Sequence, residues 1–466
     1  MLAALYSRYI ALSKNKSEEG PVLLLHIADI HFRSPDCLNP DLDPDRPYRT
    51  RLIQDVRSRV SELGPVGAIL IGGDIAFKGA PEEYQVAMAW ITELAAVAGC
   101  PLERVFVVPG NHDVDRGLIL RTLSTRNAQA AIKRAPDDRR ERELRNQISD
   151  GDTSRALLAP LAAYNDFAKR LNCQVYLPER LYWKQDLELE NSVVLRVHGL
   201  TSVILSGAEG RDDTRDSLYL SPLQTVLDPV DDVVNLVLCH HPPDWFMDQD
   251  DASDAFCGRA TIHMFGHKHR QRLQLDRQYA RFSAGAVNPD RQELGWQPGY
   301  NLVEVHITGS GRDRKLTVEA HLRQWQTNPD KFRAVLTPED ESVFCHTIRF
   351  PGEERRVLPT VASETPVLNA VSPTAEQVPE EKNALDREHE TNGEAAMGDA
   401  STRNLVFRFW NLTASDRREI TLQLGLIVEA ELQLPEPERY GRALIRASER
   451  GKLEELARAV MQRETQ

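Results

Sequence analysis

The chain has 466 residues, enough for two or three domains, and its 41% hydrophobic and 27% charged residues are typical of a globular protein. No apolar run approaches the roughly 20 residues of a membrane-spanning helix, so no membrane partner is expected. The net charge of −13 argues against a generally basic nucleic-acid-binding surface, although bound cations would add local positive charge that this count omits.

The N-terminal residues and the cysteines together predict a cytoplasmic location. Residues 1–20 predict a short helix that runs into a polar segment, without the sustained apolar core and cleavage site of a signal peptide. The six cysteines are scattered without paired spacing, which is typical of reduced thiols.

Five apolar runs predict buried strands, and a short polar cluster follows each of them. The runs are Val22–Ile27, Ala68–Ile71, Val105–Val108, Val233–Leu238 and Ile262–Phe265. The clusters, in the same order, are Asp29-Ile30-His31, Gly73-Asp74, Gly110-Asn111-His112-Asp113, His240-His241-Pro242 and Gly266-His267-Lys268-His269. Predicted helices over 47–63 and 81–98 separate the first three strands, which indicates a largely parallel sheet. Because α/β proteins build their sites at the carboxyl ends of such strands, we expect the clusters to meet.

The clusters combine carboxylates, imidazoles and an amide oxygen, and they contain no thiolate. This set suits divalent manganese, iron, zinc or cobalt better than it suits a cysteine-rich structural zinc site. Phosphoryl transfer by two metal ions requires that the ions lie about 3.5–4 Å apart. Such a pair needs one carboxylate that bridges the ions and a set of ligands on each side of it. A two-metal hydrolase is therefore the leading hypothesis.

The five clusters and their order resemble the calcineurin-like metallophosphoesterase family. The family pattern is D-x-H, G-D-x-x-x-x-G, G-N-H-D, H-x-P and G-H-x-H, and Gly79 completes its second element here. The resemblance covers about residues 22–310. It implies an α/β fold of four layers, in which two packed mixed β-sheets are flanked by helices.

The resemblance also implies a role for the polar residues of the clusters. The implied ligands are Asp29, His31 and His269 for one metal ion, Asn111, His240 and His267 for the other, and Asp74 as the bridge. His240 is preferred to His241 because the family's ligand stands two residues before the proline, but the adjacent histidines leave both open. His112 would face the substrate phosphate as proton donor or as stabiliser of charge, with Asp113 orienting its imidazole. A hydroxide bridging the two ions would attack phosphorus in line.

The expected reaction is hydrolysis of a phosphodiester in a nucleotide or a nucleic acid. A diester is preferred because His112-Asp113 is present and no surface for docking a phosphoprotein can be recognised. Manganese is the expected metal, with iron, zinc, cobalt or nickel as alternatives. The alternative functions are a phosphomonoesterase, or a catalytically silent scaffold of the same fold that acts through its C-terminal domain. The intact ligand set argues against the scaffold, but nothing in the sequence separates cyclic nucleotides, DNA and RNA.

Further segments complete a predicted domain over residues 1–350. An insertion at about 117–171, with predicted helices over 118–133 and 156–171, leaves from the loop that bears His112. It forms either a cap on the substrate pocket or a surface elaboration. Strands between 181 and 205 are expected to begin a second sheet. The strands expected to complete and extend that sheet are 272–275, 279–286, 300–307, 315–323 and 343–350.

The remaining residues predict a linker and a second domain. Residues 351–402 are rich in Pro, Glu, Ala, Thr and Ser, which predicts a disordered linker. Residues 403–466 predict a small all-α bundle. Thr413 and Ser415 are plausible N-caps of a helix that ends at Leu424 before Gly425, and apolar positions recur at helical spacing over 437–450 and 452–463. The bundle resembles the death-like or effector-associated adaptor domains attached to enzymes of bacterial conflict systems. That resemblance implies a protein partner, and plain dimerisation or stabilisation is the alternative.

Overall fold

The computed structural model of the chain describes residues 20–176, 180–288, 297–310, 313–349, 405, 408, 409, 412, 414–427 and 436–464. The chain divides into two compact units, residues 1–361 and 362–466, and each is described by itself. The linker predicted over 351–402 lies outside the described residues, as does almost all of the helix predicted over 1–20.

The first unit contains all the strands and most of the helices of the described residues. Its strands are β1 (Val22–Ile27), β2 (Ala68–Ile71), β3 (Val105–Val107), β4 (Tyr182–Glu188), β5 (Val194–Leu200), β6 (Val233–Cys239), β7 (Ile262–Phe265), β8 (Arg272–Leu275), β9 (Ala280–Ser283), β10 (Gly299–Thr308), β11 (Lys315–Gln326), β12 (Lys331–Ala334) and β13 (Phe344–Arg349). Its helices are α1 (Arg46–Leu63), α2 (Pro81–Ala98), α3 (Arg116–Arg121), α4 (Leu123–Arg134), α5 (Asp137–Ser149), α6 (Gly151–Leu158), α7 (Ala162–Ala168) and α8 (Gln249–Arg259).

The strands form two mixed sheets. The first sheet has the order β12-β11-β10-β1-β2-β3, and β13 also pairs with β11. In this sheet β1, β2 and β3 are parallel, and β10 is antiparallel to β1. The second sheet has the order β4-β5-β6-β7-β9-β8, with four parallel strands between two antiparallel edge strands.

The assignment of the last strands to the second sheet was wrong. The strand predicted over 300–307 pairs with β1, where Leu302 lies opposite Leu25, and so belongs to the first sheet. The strands predicted over 315–323 and 343–350 join that sheet through β11. The alternation of apolar and polar residues shows which face of a strand is buried, but it does not identify the partner strand.

Helices and sheets stack in four layers, which confirms the predicted fold class. Leu236, Leu238 and Met264 of the second sheet share one large core with the strands of the first sheet and with α1 and α2. Val237 and Phe265 point the opposite way, into a second core that α4, α5, α6 and α8 cover. Because successive strand residues face opposite sides, one strand supplies both cores.

The insertion after the third cluster folds into the short helices α3 to α7. The helix predicted over 118–133 is interrupted at Thr122, whose backbone is extended at φ −112° and ψ 107°. Ile132, Leu144 and Leu157 are buried against the second sheet. The insertion thus supplies a packing layer, and its residues 117–171 are absent from the walls of the clefts described below.

The second unit has three helices among its described residues, α9 (Ala414–Gln423), α10 (Glu436–Glu449) and α11 (Leu453–Glu464). Phe409, Ile420, Tyr440, Leu456 and Val460 form its buried centre. Each helix is too short to be stable alone, so this packing stabilises the bundle. Among the helices in the described part of the chain, none has the length and hydrophobicity that crossing a bilayer requires.

Candidate metal centre

The five polar clusters meet where the two sheets join, at the carboxyl ends of β1, β2, β3, β6 and β7. Ala28 forms a parallel bridge with Ala286, which lies just beyond β9 of the other sheet. The backbone of Asp29 donates to the carbonyl of Gly73 at 3.0 Å and accepts from the N–H of Asn288 at 3.1 Å. The first cluster is therefore held between both sheets, and the short strands place the other clusters around it.

Four of the predicted ligands form one group. One ligand atom each of Asp29, His31, Asp74 and His269 lies within 4.8 Å of the others. The Nε2 atoms of His31 and His269 are 3.4 Å apart, and His269 Nε2 lies 3.3 Å from a carboxylate oxygen of Asp29. The backbone N–H of His267 donates to both Asp29 oxygens, at 3.1 and 3.2 Å, and so fixes that carboxylate. Imidazole nitrogens aimed at a carboxylate are donors that a divalent cation binds.

A second group lies on the other side of Asp74. The amide oxygen of Asn111 is 3.0 Å from both His240 Nε2 and His267 Nδ1. His240 Nε2 is also 3.3 Å from Asp74 Oδ2. Asp74 thus contacts both groups, as a bridging carboxylate must.

The structure places both adjacent histidines, His240 and His241, in the second group. His240 Nδ1 donates to the carbonyl of Gly72 at 2.7 Å, which leaves Nε2 as the atom available to a cation. His241 Nδ1 pairs with the Ser202 hydroxyl at 2.8 Å, and its Nε2 is buried without a hydrogen-bond partner among the described residues. One ligand atom each of His240, His241 and His267 lies within 4.8 Å of the others. An orphaned imidazole nitrogen beside these donors fits a cation at this position.

The backbone at the ligands is unusual. Asp29, His31, Asp74, His267 and His269 all have positive φ, between 51° and 67°. For residues other than glycine this left-handed conformation costs about 1–2 kcal/mol each. Five such residues at one point indicate that packing against both sheets offsets a local strain that aims the side chains inward.

Two glycines let the ligands approach the backbone closely. A Cβ atom on Gly110 would lie 2.1 Å from Asp74 Oδ1, and one on Gly73 would lie 2.6 Å from His240 Nδ1. Gly73 also has φ +91°, which side chains disfavour. The glycines of the second and third clusters are therefore required for the positions of Asp74 and His240.

His112 lies above the ligands and is held by its backbone and its ring. Its N–H donates to Asp74 Oδ1 at 2.7 Å, and its ring stacks on Phe77 at 4.9 Å between centroids. His112 Nδ1 lies 3.0 Å from the carbonyl oxygen of Phe77. Because a carbonyl only accepts, Nδ1 carries a proton and donates it to Phe77, which leaves Nε2 for another partner.

Asp113 does not orient the His112 ring, contrary to what the family resemblance implied. Its buried carboxylate accepts from the N–H groups of Gly110 at 2.8 Å and Ala76 at 2.9 Å, and from the Tyr84 hydroxyl at 2.8 Å. Burial, followed by the charge of Asp74, raises the pKa of Asp113 to about 6. Asp113 therefore connects the loops that follow β2 and β3, and among the described residues the carbonyl of Phe77 orients the imidazole.

Glu83 is a positioning residue that we did not predict. Its buried carboxylate accepts from the backbone N–H of Phe77 at 3.2 Å, Lys78 at 3.0 Å, Ala80 at 3.2 Å and Ser34 at 2.9 Å. It thus ties the loop after β1 to the loop that carries Phe77. The sequence shows only Pro-Glu-Glu, which is also an ordinary first turn of a helix.

Glu83→Gln is expected to destabilise the chain by about 1–3 kcal/mol, because its amide NH₂ leaves at least one buried N–H without an acceptor. Turnover should fall about tenfold as Phe77 and His112 shift, while bound metal is retained. Denaturant unfolding, turnover and metal content would measure these effects. Glu82→Gln, at the neighbouring position, should match wild type. Unchanged unfolding of Glu83→Gln would contradict the assigned role.

Burial and charge set the protonation of the ligands. Burial lowers the pKa of both His31 and His267 well below its usual value, so both imidazoles are neutral. Burial also lowers the pKa of His240, but the Asp74 carboxylate more than offsets this and raises it to about 9. A cation at His240 must therefore displace a proton, and its affinity should rise with pH.

Clefts open on both sides of His112. One, of about 530 Å³, is lined by Asn111, His112, Arg215, Trp245, Lys268, Arg270 and Arg272, among others. The other, of about 350 Å³, shares Asn111 and His112 and is also lined by Arg33, Phe77 and Arg116. Both clefts also include His267 and His269, so the proposed ligands lie at their junction.

Solved structures similar to this chain share little sequence with it. A putative 5'-nucleotidase from Staphylococcus aureus is 13% identical, with a TM-score of 0.35 over 69% of this chain and 57% of that chain. Vps29 from Chaetomium thermophilum is 11% identical, with a TM-score of 0.29 over 71% and 99% of the two chains. GAP50 of Plasmodium, an anchor in the inner membrane complex, is 9% identical, with a TM-score of 0.35 over 72% and 90%. This chain spans little more than half the length of the nucleotidase. No curated protein sequence is significantly similar to it.

Family models match both units of the chain. Residues 401–462 match the GTPase-associated adaptor domain, which confirms an adaptor domain at the C-terminal side. Residues 22–271 match the calcineurin-like phosphoesterase model, and this range contains all five polar clusters. The match covers more than half of the chain, which therefore belongs to the calcineurin-like phosphoesterase family.

Proposed function

We propose that this chain is a dinuclear metal-dependent phosphodiesterase that hydrolyses a nucleotide or nucleic-acid phosphodiester. The observation that carries the proposal is the pair of ligand groups joined by Asp74, with His112 above them and a cleft on each side. A reacting phosphate at this junction would meet the ligands and His112 together.

The donor atoms fit two divalent ions. Asp29, His31 and His269 would hold one ion, and Asn111, His240 and His267 the other, with Asp74 between them. The Nε2 atom of His241 lies beside the second set and is the alternative to His240. When bound, such ions polarise a phosphoryl oxygen and lower the pKa of a water molecule. Nitrogen and oxygen donors without thiolate favour manganese, with iron, zinc, cobalt or nickel as alternatives.

His112 is proposed to act as an imidazolium, with both ring nitrogens protonated, and to give its Nε2 proton to the leaving oxygen. The Phe77 carbonyl holds Nδ1 protonated, and the stacked ring limits rotation. Both contacts fix the orientation of the imidazole, so that Nε2 points in one direction. Asp74 fixes the backbone of the same residue, so the acid and the ligands cannot move independently.

His112→Ala is expected to slow turnover by about 10²–10⁴-fold, the usual loss for a general acid. Both metal ions should stay bound, because the side chain is not a ligand. Metal analysis beside single-turnover hydrolysis separates these effects. Loss of metal from this variant would contradict the proposed role of His112 as a general acid that does not bind metal.

The two clefts favour a diester over a monoester, because a diester carries a group on each side of phosphorus. The test is hydrolysis of a bis-aryl phosphodiester beside an aryl phosphomonoester, with apo protein reloaded with manganese. Faster hydrolysis of the diester supports the proposal. Faster hydrolysis of the monoester would establish a phosphomonoesterase instead.

The adaptor domain supports a protein partner that binds through residues 403–466. We place this pairing in a bacterial conflict system, in which the partner would bring the enzyme to its substrate. A cytoplasmic location is proposed because all six cysteines lie in described residues and none forms a disulfide.

A further inference from the structure

We propose that the chain has a second compartment beside the metal centre, which holds the continuing strand of a single-stranded oligonucleotide. The inference rests on the proposed phosphodiesterase function and names its substrate class. It begins from a cavity of about 580 Å³ that adjoins the larger cleft of the metal centre.

The two cavities adjoin, and Lys268 and Arg272 line both of them. Lys268 stands between the proposed ligands His267 and His269, and Arg272 begins β8. A strand with one phosphate at the metal centre would therefore pass two cations on entering the second compartment.

Contacts with neighbouring side chains hold Lys268 and Arg281, two of the cations of the second compartment. Asp244 accepts a hydrogen bond from Lys268 at 2.7 Å, and its carboxylate also lies 3.7 Å from Arg215. Arg281, which lines this cavity but not the larger cleft, donates from Nε to His263 Nδ1 at 3.2 Å. Asp244 and Asp250 both line the compartment beside Lys268, Arg272 and Arg281, so its charge is mixed, with three cations and two carboxylates.

An aromatic ring, Trp245, stands among the cations of the larger cleft, which adjoins the second compartment. Trp245 is half-buried in the larger cleft and lies edge-on to His267, with 4.0 Å between centroids. Aromatic faces interleaved with cations are the usual means of holding single strands, through base stacking and backbone charge. The placement is notable in a chain whose net charge is −13.

The test measures how affinity depends on strand length. The manganese-loaded full chain is titrated into fluorescein-labelled phosphorothioate single strands, which resist hydrolysis, with DNA and RNA as separate arms. A strand of about 12 nucleotides should bind at least about tenfold more tightly than a dinucleotide, because more phosphates are neutralised. Tighter binding of the long strand in either arm supports the proposal.

Arg272→Ala should weaken binding of the long strand about fivefold. It should also reduce the slope of log affinity against log salt by about 0.7, the value for one phosphate contact on a single strand. The same substitution should weaken binding of the dinucleotide by a smaller factor. Arg277→Ala is the matched control, because it removes an equally exposed arginine between β8 and β9 that lines none of these cavities.

Equal affinity for short and long strands would overturn the proposal, as would equal behaviour of Arg272→Ala and Arg277→Ala. A duplex that binds as tightly as the single strand would also overturn it. Hydrolysis of the bis-aryl diester without length dependence would reject the compartment and leave the proposed function intact. Length-dependent binding without diester hydrolysis would reject the proposed function and leave the oligonucleotide-binding compartment intact.

Discussion

Asp74→Ala is expected to lose bound metal and activity together. Asp74 contacts both ligand groups, through His240 Nε2 at 3.3 Å and through its place beside Asp29, His31 and His269. Without this carboxylate neither cation keeps a complete set of donors, and their mutual repulsion is no longer screened. Metal should fall from two ions per chain to less than one, and diester hydrolysis should fall by more than about 10³-fold.

Asp74→Asn separates this effect from misfolding, because the amide has the same shape and can still accept from the His112 N–H. It should unfold at nearly the same denaturant concentration as wild type and still lack metal. Asp152→Ala, which removes an exposed carboxylate from α6, is the control for a general change of charge. Full metal content in Asp74→Asn would show that the bridge is assigned to the wrong residue.

Gly110→Ala is expected to disable the site without removing any ligand atom. The new Cβ would lie 2.1 Å from Asp74 Oδ1 and 2.4 Å from its backbone nitrogen, far inside van der Waals contact. The neighbour is a buried carboxylate that packing holds in place, so Asp74 must move. A displacement near 1 Å costs about 10²-fold in rate, and the overpacking costs about 1–3 kcal/mol.

Gly258→Ala is the matched control for this substitution. Gly258 lies in α8, where an added Cβ meets nothing within 4 Å. The change should leave activity intact and stabilise the chain by up to about 1 kcal/mol, because alanine favours a helix. Turnover and metal content report on the site, and denaturant unfolding reports on stability. Wild-type turnover in Gly110→Ala would contradict the close approach of Asp74.

The strands that carry the clusters were predictable because their signal is local. Each is a short apolar run buried on both faces, followed by a polar residue, and parallel strands bring such ends together. The grouping of Asp29, His31, Asp74 and His269 in space follows from that pattern and from the family motif.

Other features depend on contacts between distant residues and could not be predicted. β10 lies beside β1 although more than 270 residues separate them in the chain, and no local pattern identifies that pairing. The sequence around Glu83 predicts only the first turn of a helix, yet its carboxylate accepts hydrogen bonds from the backbone of two loops. Asp113 stands next to His112 in sequence, but its carboxylate faces Gly110 and Tyr84 instead.

The most direct test of the central claim is the manganese content and the electron paramagnetic resonance spectrum of the reloaded full-length chain. Two ions per chain with spin-coupled signals are expected, because a shared carboxylate holds such ions about 3.5–4 Å apart. Affinity should also rise with pH, as protons leave His240. A single ion, or two ions without coupling, would contradict a dinuclear centre bridged by Asp74.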